Sequence, residues 1–261
     1  MRPDGFHEIE SVLQAVTLGD DLELRPAERL VVRNALVPPD VDLVRRAAEL
    51  FARRTGQRAA VSIEVDKRIP IGAGLGGGSS DAAAVLRGLR DLFAPGLPPE
   101  EMCALGAEIG SDVPFFLGAS PIALARGRGE LLTALPPRPE RFALIAWPNA
   151  PLATARVYAK SDPGPGGGAR LVVSGQTTAW IDLAPAARRL APDLDRLIRS
   201  AGERGAELRI TGSGSATFAL YDVLKDARAA LDAVRPLATG AVLCRTLALW
   251  PWQGNPGAFN E

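Results

Sequence analysis

Cysteine is nearly absent: Cys103 and Cys244 are the only two in 261 residues, too few for a disulfide framework or a cysteine-based metal cage. A reducing compartment is the simple expectation. The net charge is zero, from 30 basic and 30 acidic side chains, so the chain lacks the electrostatic footprint of a nucleic-acid or anionic-membrane binder. No apolar run approaches the roughly 18 residues that cross a bilayer. The start, with charges at Arg2 and Asp4, lacks the apolar core of a signal peptide. Together these absences predict a cytoplasmic protein that works on small molecules. With 47% hydrophobic residues, the chain can bury an ordinary core and has room for two modest domains.

Glycine, by contrast, is concentrated. Five of the seven residues from Gly72 to Gly78 are glycine, within Pro70-Ile71-Gly72-Ala73-Gly74-Leu75-Gly76-Gly77-Gly78-Ser79-Ser80. A backbone free of Cβ atoms can turn through positive φ and close its N–H groups on an anion, helped by the free amides of a following helix. A nucleotide triphosphate is the first candidate ligand. The Walker pattern is excluded because this loop holds no lysine. The spacing of Gly72, Gly74 and Gly77 meets the dinucleotide pattern only formally, since nearly every position is glycine. Asp91 stands about 20 positions on, as that fingerprint wants, but inside the predicted helix that follows the loop. Ser79 or Ser80 is expected to cap that helix, which Ala82-Ala83-Ala84-Val85-Leu86 favours and which runs to about Phe93. One of the two serines is also able to offer its hydroxyl to a phosphate oxygen or to Mg²⁺.

Periodicity supplies a coarse map. Residues 8–16 and 21–25 read as strands around the turn Leu18-Gly19-Asp20. Residues 40–54 read as a helix with Asp40 as cap and Gly56 as stop, and 61–65 as a strand leading into the glycine loop. A helix from Pro99 to Ile109 stops at Gly110 and restarts near Ser111-Asp112-Val113-Pro114. Beyond Pro136-Pro137-Arg138-Pro139 the order becomes strand 142–147, helix 185–201, strands 207–211 and 217–221, helix 226–234, strand 241–250. That is βαββαβ, the split βαβ arrangement. The expectation is an α+β protein with an N-terminal domain over 1–138 and a C-terminal one over 139–261. Residues 162–168 are read as a flexible Gly/Pro excursion and 253–261 as a poorly ordered tail. A second glycine turn, Thr211-Gly212-Ser213-Gly214-Ser215, is either a plain hairpin or the opposite wall of a phosphate-binding cleft.

Three stretches, Arg2-Pro3-Asp4-Gly5-Phe6-His7-Glu8, Pro70 to Ala84 and Ile210 to Ala219, resemble the signature segments of the GHMP small-molecule kinases. The similarity covers most of the chain. Gly110-Ser111-Asp112-Val113-Pro114-Phe115-Phe116 and Ala125-Arg126-Gly127-Arg128-Gly129-Glu130 are similar to further recurrent segments of the member that acts on a cytidine-diphosphate-linked methylerythritol. The resemblance implies ATP and Mg²⁺ as cofactors, with residues 70 to 80 around the nucleotide and Asp112 as the base that accepts a hydroxyl proton. The alternative for Asp112 is a helix cap. The resemblance further implies that His7, the chain's only histidine, bonds a cytosine edge while Phe6 and Tyr158 stack on the base, and that Gly212, Ser213 and Gly214 bind substrate. A monomer or weak homodimer is expected.

Two departures stand out. The family's N-terminal strand carries a lysine beside the catalytic aspartate, yet Lys67, Lys160 and Lys225 are the only lysines here and none stands in that motif. The resemblance implies an ATP-dependent kinase of the cytidine-diphosphate-linked methylerythritol; the alternatives are another GHMP small-molecule kinase or, because the lysine is missing, a catalytically impaired nucleotide-binding paralogue, and coding sequence upstream of Met1 is expected. The second departure is Ile181-Asp182-Leu183-Ala184, where the family shows Asn-Asp-Leu-Glu.

Overall fold

The structure is a computed structural model that describes residues 9–58, 60–150, 152–161, 172–174, 176–178 and 183–254. The chain opens with β1 (Ile9–Gln14), β2 (Asp21–Pro26), β3 (Val31–Arg33), α1 (Leu43–Thr55) and β4 (Val61–Asp66). β4 runs antiparallel to β2 and parallel to β3 in a sheet of order β2-β4-β3. Its alternation explains the layer that follows: Val61 and Ile63 are buried while Glu64 faces out. Onto that face packs α1 through Val44, Ala47, Ala48 and Phe51, together with α2 (Gly77–Phe93) through Ala82, Val85, Leu86 and Leu89. β3 was not anticipated, since three residues are too few to show a period.

The start of α1 corrects the expected cap. Asp42, not Asp40, stands at the N-cap, its carboxylate accepting the amide of Val44 at 2.9 Å. Asp40 falls within the turn closed by the bond from the Val41 amide to the Pro38 carbonyl, 3.2 Å. Gly56 ends the helix in the left-handed region, φ 69°, as expected.

Next come α3 (Pro99–Ile109), α4 (Val113–Leu117), β5 (Ile122–Gly127) and β6 (Leu131–Ala134). β5 lies between β1 and β6, antiparallel to both. The remaining elements are β7 (Phe142–Trp147), α5 (Thr154–Lys160), the hairpin β8 (Val172–Ser174) and β9 (Gln176–Thr178), α6 (Ala184–Leu190), α7 (Pro192–Gly202), β10 (Arg209–Ile210), β11 (Thr217–Tyr221), α8 (Leu224–Val234), β12 (Gly240–Arg245) and α9 (Pro251–Gly254). The sheet order β10-β11-β7-β12, antiparallel throughout, is that of the split βαβ motif.

Three boundaries differ from expectation. The helix read over 185–201 is two helices, because Pro192 cannot continue the helical ladder past Ala191. The strand read over 207–211 keeps only Arg209 and Ile210. The last strand ends at Arg245 rather than Trp250, whose indole instead meets the Phe115 ring with centroids 5.7 Å apart. The proposed excursion at 162–168 lies outside the described residues, as does most of the expected tail.

The stretch after β12 binds the two ends of the chain together. The Leu247 amide donates to the Ala15 carbonyl at 2.9 Å, the Thr17 amide to the Arg245 carbonyl at 2.8 Å, and the Gln14 side chain to the Leu247 carbonyl at 2.9 Å. Trp250 then stacks on Trp252 at 4.6 Å, and the Arg87 guanidinium of α2 sits 3.8 Å from the Trp252 ring centroid. No helix among the described residues is long and apolar enough to cross a membrane. Replacing Asp42 by Ala should cost about 1 kcal/mol of stability, seen as a lower denaturant midpoint at unchanged slope. Asp40→Ala should leave the midpoint where it is, and equal effects would return the cap to Asp40.

Candidate active site

The glycine loop joins β4 to α2 as an arch. Gly72, Gly74 and Gly76 have φ of 70°, 78° and 70°, and no non-glycine residue between them has a positive φ, the kind of alternation from which backbone anion nests are built. Gly76 is itself the N-cap of α2 and makes no side-chain bond. Ser79 and Ser80 therefore lie in the first helical turn, which corrects the expected serine cap. Gly76 holds the cap position with a left-handed φ of 70°, a conformation that serine rarely adopts. Among the described residues, no amide from Gly74 to Ser79 donates a hydrogen bond, whereas the Ala73 and Gly76 carbonyls accept from Ala216 and Ser80 at 2.8 and 2.9 Å. The outer side is open, with Gly72 and Gly78 exposed and Ile71 53% exposed.

Behind the arch lies a buried charge cluster that sequence reasoning missed. Lys67 Nζ bonds Asp20 Oδ2 at 2.5 Å and Asp81 Oδ2 at 2.7 Å, with side-chain exposures of 5%, 0% and 2% respectively. The second Asp20 oxygen accepts the amides of Arg68 and Ile69 at 2.5 and 2.7 Å. Burial pushes Asp20 up, but these three donor contacts, from Lys67, Ile69 and Arg68, outweigh it and hold the carboxyl below the ordinary aspartate value. Burial raises Asp81 to about 7, and the Lys67 bond offsets only part of that. The signal available was slight: a lysine three residues before Pro70 in a chain with few lysines.

Asp112 stands at the N-cap position of α4 and makes no capping bond. Although solvent reaches the residue, the surrounding protein desolvates its carboxyl and raises its pKa above the ordinary aspartate value. α4 is held to the loop by Phe116, whose ring lies 3.4 Å from where a Cβ on Gly76 would sit, and to α2 by a 2.8 Å bond from Arg87 to the Phe116 carbonyl. Across from Asp112 is Tyr158 on α5, whose pKa is raised by burial and then by the Asp112 charge. The second glycine turn closes the circuit. A Cβ on Gly74 would lie 2.7 Å from the Gly214 carbonyl oxygen and 3.0 Å from that of Thr211. The two turns are therefore in backbone contact rather than facing across a gap. Ser213 is buried and shares a 2.9 Å bond between hydroxyls with Thr154 of α5, and the Gly214 amide is taken by the Thr211 carbonyl at 2.9 Å.

The family models described as "GHMP kinases N terminal domain" and "GHMP kinases C terminal" match residues 42–119 and 167–237. A relative from Alkalilimnicola ehrlichii named 4-diphosphocytidyl-2-C-methyl-D-erythritol kinase is 38% identical over 241 residues, spanning 88% of this chain and 80% of the relative. The chain belongs to the GHMP kinases. A relative of the same name from Symbiobacterium thermophilum is 36% identical across 94% of this chain and 93% of its own. The crystal structure of a 4-(cytidine 5'-diphospho)-2C-methyl-D-erythritol kinase superposes with TM-score 0.81 at 34% identity, covering 94% and 92% of the two chains. A homoserine kinase from Cytophaga hutchinsonii shares the fold at TM-score 0.69 and 18% identity, over 93% and 95%. The α+β expectation thus stands as the GHMP kinase fold.

For this GHMP kinase, then, the structure brings residues 70–80, Asp112, Tyr158 and residues 212–214 into one region. Phe6 and His7 lie outside the described residues, as do Ile181 and Asp182, while Leu183 and Ala184 begin α6. The contact between the two turns is testable. Gly74→Ala forces a positive φ and a clash with backbone oxygens, and should cost roughly 2 kcal/mol or more. Gly72→Ala, with similar φ and nothing within 4 Å of its Cβ, should cost clearly less in a denaturant titration. Equal losses would mean that the second turn does not brace the first.

Proposed function

We propose that this GHMP kinase transfers the γ-phosphoryl group of ATP to the 2-hydroxyl of 4-diphosphocytidyl-2-C-methyl-D-erythritol, in isoprenoid precursor biosynthesis by the non-mevalonate pathway. The observation that carries the reading is the row of amides from Gly74 to Ser79 at the start of α2 that donate to no partner among the described residues, next to α4, which begins at Asp112 and packs Phe116 against Gly76. The names of the 38% and 36% identical relatives support the substrate.

In this reading the arch and the α2 N-terminus hold the triphosphate, and because the amides are fixed before the reaction, charge on the transferring group is stabilised without reorganisation. Mg²⁺ would arrive on the nucleotide's own phosphate oxygens and neutralise part of their charge. Among the described residues no group of three or more His, Cys, Asp or Glu could hold a metal, so no side chain is assigned to it. Asp112 accepts the hydroxyl proton; its carboxylate, unspent on capping, is available for that bond. Tyr158 stacks on cytosine, with Phe6 and His7 assigned to the same base on family resemblance alone. The amides of Gly212 and Ser213 remain for the substrate's diphosphate. The two halves, 1–138 and 139–261, are read as domains whose glycine turns meet at the site, in a cytoplasmic monomer or weak homodimer.

The base assignment predicts that Asp112→Asn lowers kcat by about a hundredfold or more, with nucleotide affinity nearly unchanged. Wild-type turnover should rise with pH through the Asp112 pKa, which lies above the ordinary aspartate range, because only the ionised form accepts a proton. A phosphorylation assay with the cytidylyl-methylerythritol substrate measures both. Turnover within a few-fold of wild type would remove Asp112 from the mechanism.

A further inference from the structure

The proposed reaction makes no use of Asp81, yet this carboxyl has the least settled environment near the site. It is 2% exposed, its Oδ2 takes the Lys67 ammonium at 2.7 Å, and its Oδ1 is buried with no hydrogen-bond partner. One ammonium faces two carboxylates, and Asp20 has the stronger claim on it, through the shorter contact and two further backbone donors. With Asp20 and Lys67 charged, the cluster is neutral only when Asp81 carries a proton. The charged groups whose fields reach Asp81 are Lys67, from the segment after β4, and Asp20, from the turn before β2. α1 meets this turn of α2 through the apolar Leu43.

Asp81 is the fifth residue of α2, about 6 Å along the axis from its first amides. An ionised carboxylate there draws on the same positive helix end that a phosphate would use, and at this burial salt screens it little. We propose that Asp81 couples nucleotide binding to proton uptake: its neutral form permits tight binding of a nucleoside triphosphate at the glycine arch, and its ionised form weakens it. Asp81 is a positioning and charge-setting residue, touching neither the nucleotide nor the reacting atoms. The inference rests on the reading of the arch as the nucleotide's seat.

The signs can be worked out in advance. Burial holds the Asp81 pKa at about 7 without ligand, and bound phosphate charge raises it further, so binding near neutral pH draws a proton from buffer. Titration calorimetry with a Mg²⁺-saturated, non-hydrolysable ATP analogue should show affinity weakening roughly tenfold from about pH 6 to about pH 8.5. In Asp81→Asn, whose amide mimics the protonated acid, affinity should change no more than about twofold over that range. The analogue's own ionisation is common to both proteins and cancels in their comparison. Repeating the wild-type titration near neutrality in buffers of different ionisation enthalpy should reveal net proton uptake, and this readout decides the matter even where the variant fails to fold. Parallel pH profiles for the two proteins, or wild-type binding without proton uptake, would overturn the proposal while leaving the nucleotide seat intact. No binding at any pH would instead overturn the reading of the arch, and this inference with it.

Discussion

The buried ammonium of Lys67 fixes where the glycine arch begins and ends. Through Asp20 it anchors the entry, since Asp20 also takes the amides of Arg68 and Ile69; through Asp81 it anchors the exit, in the first turns of α2. A stretch so rich in glycine would otherwise lose much conformational entropy on ordering. Pinning both ends limits what the segment between them can do, and the left-handed φ values at Gly72, Gly74 and Gly76 do the rest. The result is a set of amides arranged before any ligand arrives, which is the condition under which dipoles stabilise developing charge most effectively. The arch contains no cationic side chain, and the nearest lysine is occupied by two carboxylates. Within the arch itself, attraction for phosphate in the proposed reaction comes from backbone dipoles.

Backbone contact between Gly74 and the turn at residues 211–214 carries the same order into the second half of the chain. From there the Thr154–Ser213 hydroxyl bond reaches α5, the helix that bears Tyr158. Each link is short and built from small residues, so few side-chain rotamers intervene between the two proposed ligand regions. The close packing also explains why Ser213 and Gly214 have less to offer a ligand than sequence alone suggests: part of their hydrogen-bonding capacity is spent in holding this junction.

Much of the fold was legible because its signals are local. Alternation marked β4, helical spacing marked α1, and five glycines in seven positions marked the arch. Family resemblance picked out Asp112 and Tyr158, and the structure places them in each other's field. What escaped included β3, too short to show a period, and β5, β6 and α5, over which no element was read; other features were decided by a competition among neighbours. Asp40 and Asp42 have the same side chain, and only the turn at Pro38–Val41 determines which one caps α1. Ser79 and Ser80 were outcompeted by Gly76, whose backbone can adopt the starting conformation directly. The Lys67 cluster joins residues 47 and 14 positions apart, and no sequence period relates them. Charged side chains are mostly solvated, so their burial here became visible only with the fold.

The joining of residues 14–17 to residues 245–247, and of Arg87 to Trp252, has a bearing on how the protein is made. Synthesis is vectorial, and domains generally fold as they emerge from the ribosome. Here the first half reaches the exit tunnel long before the segment that completes its edge strand and covers α2. Until the segment around Trp250 is in place, the rings of Phe115 and Phe116 beside the arch lack their indole cover.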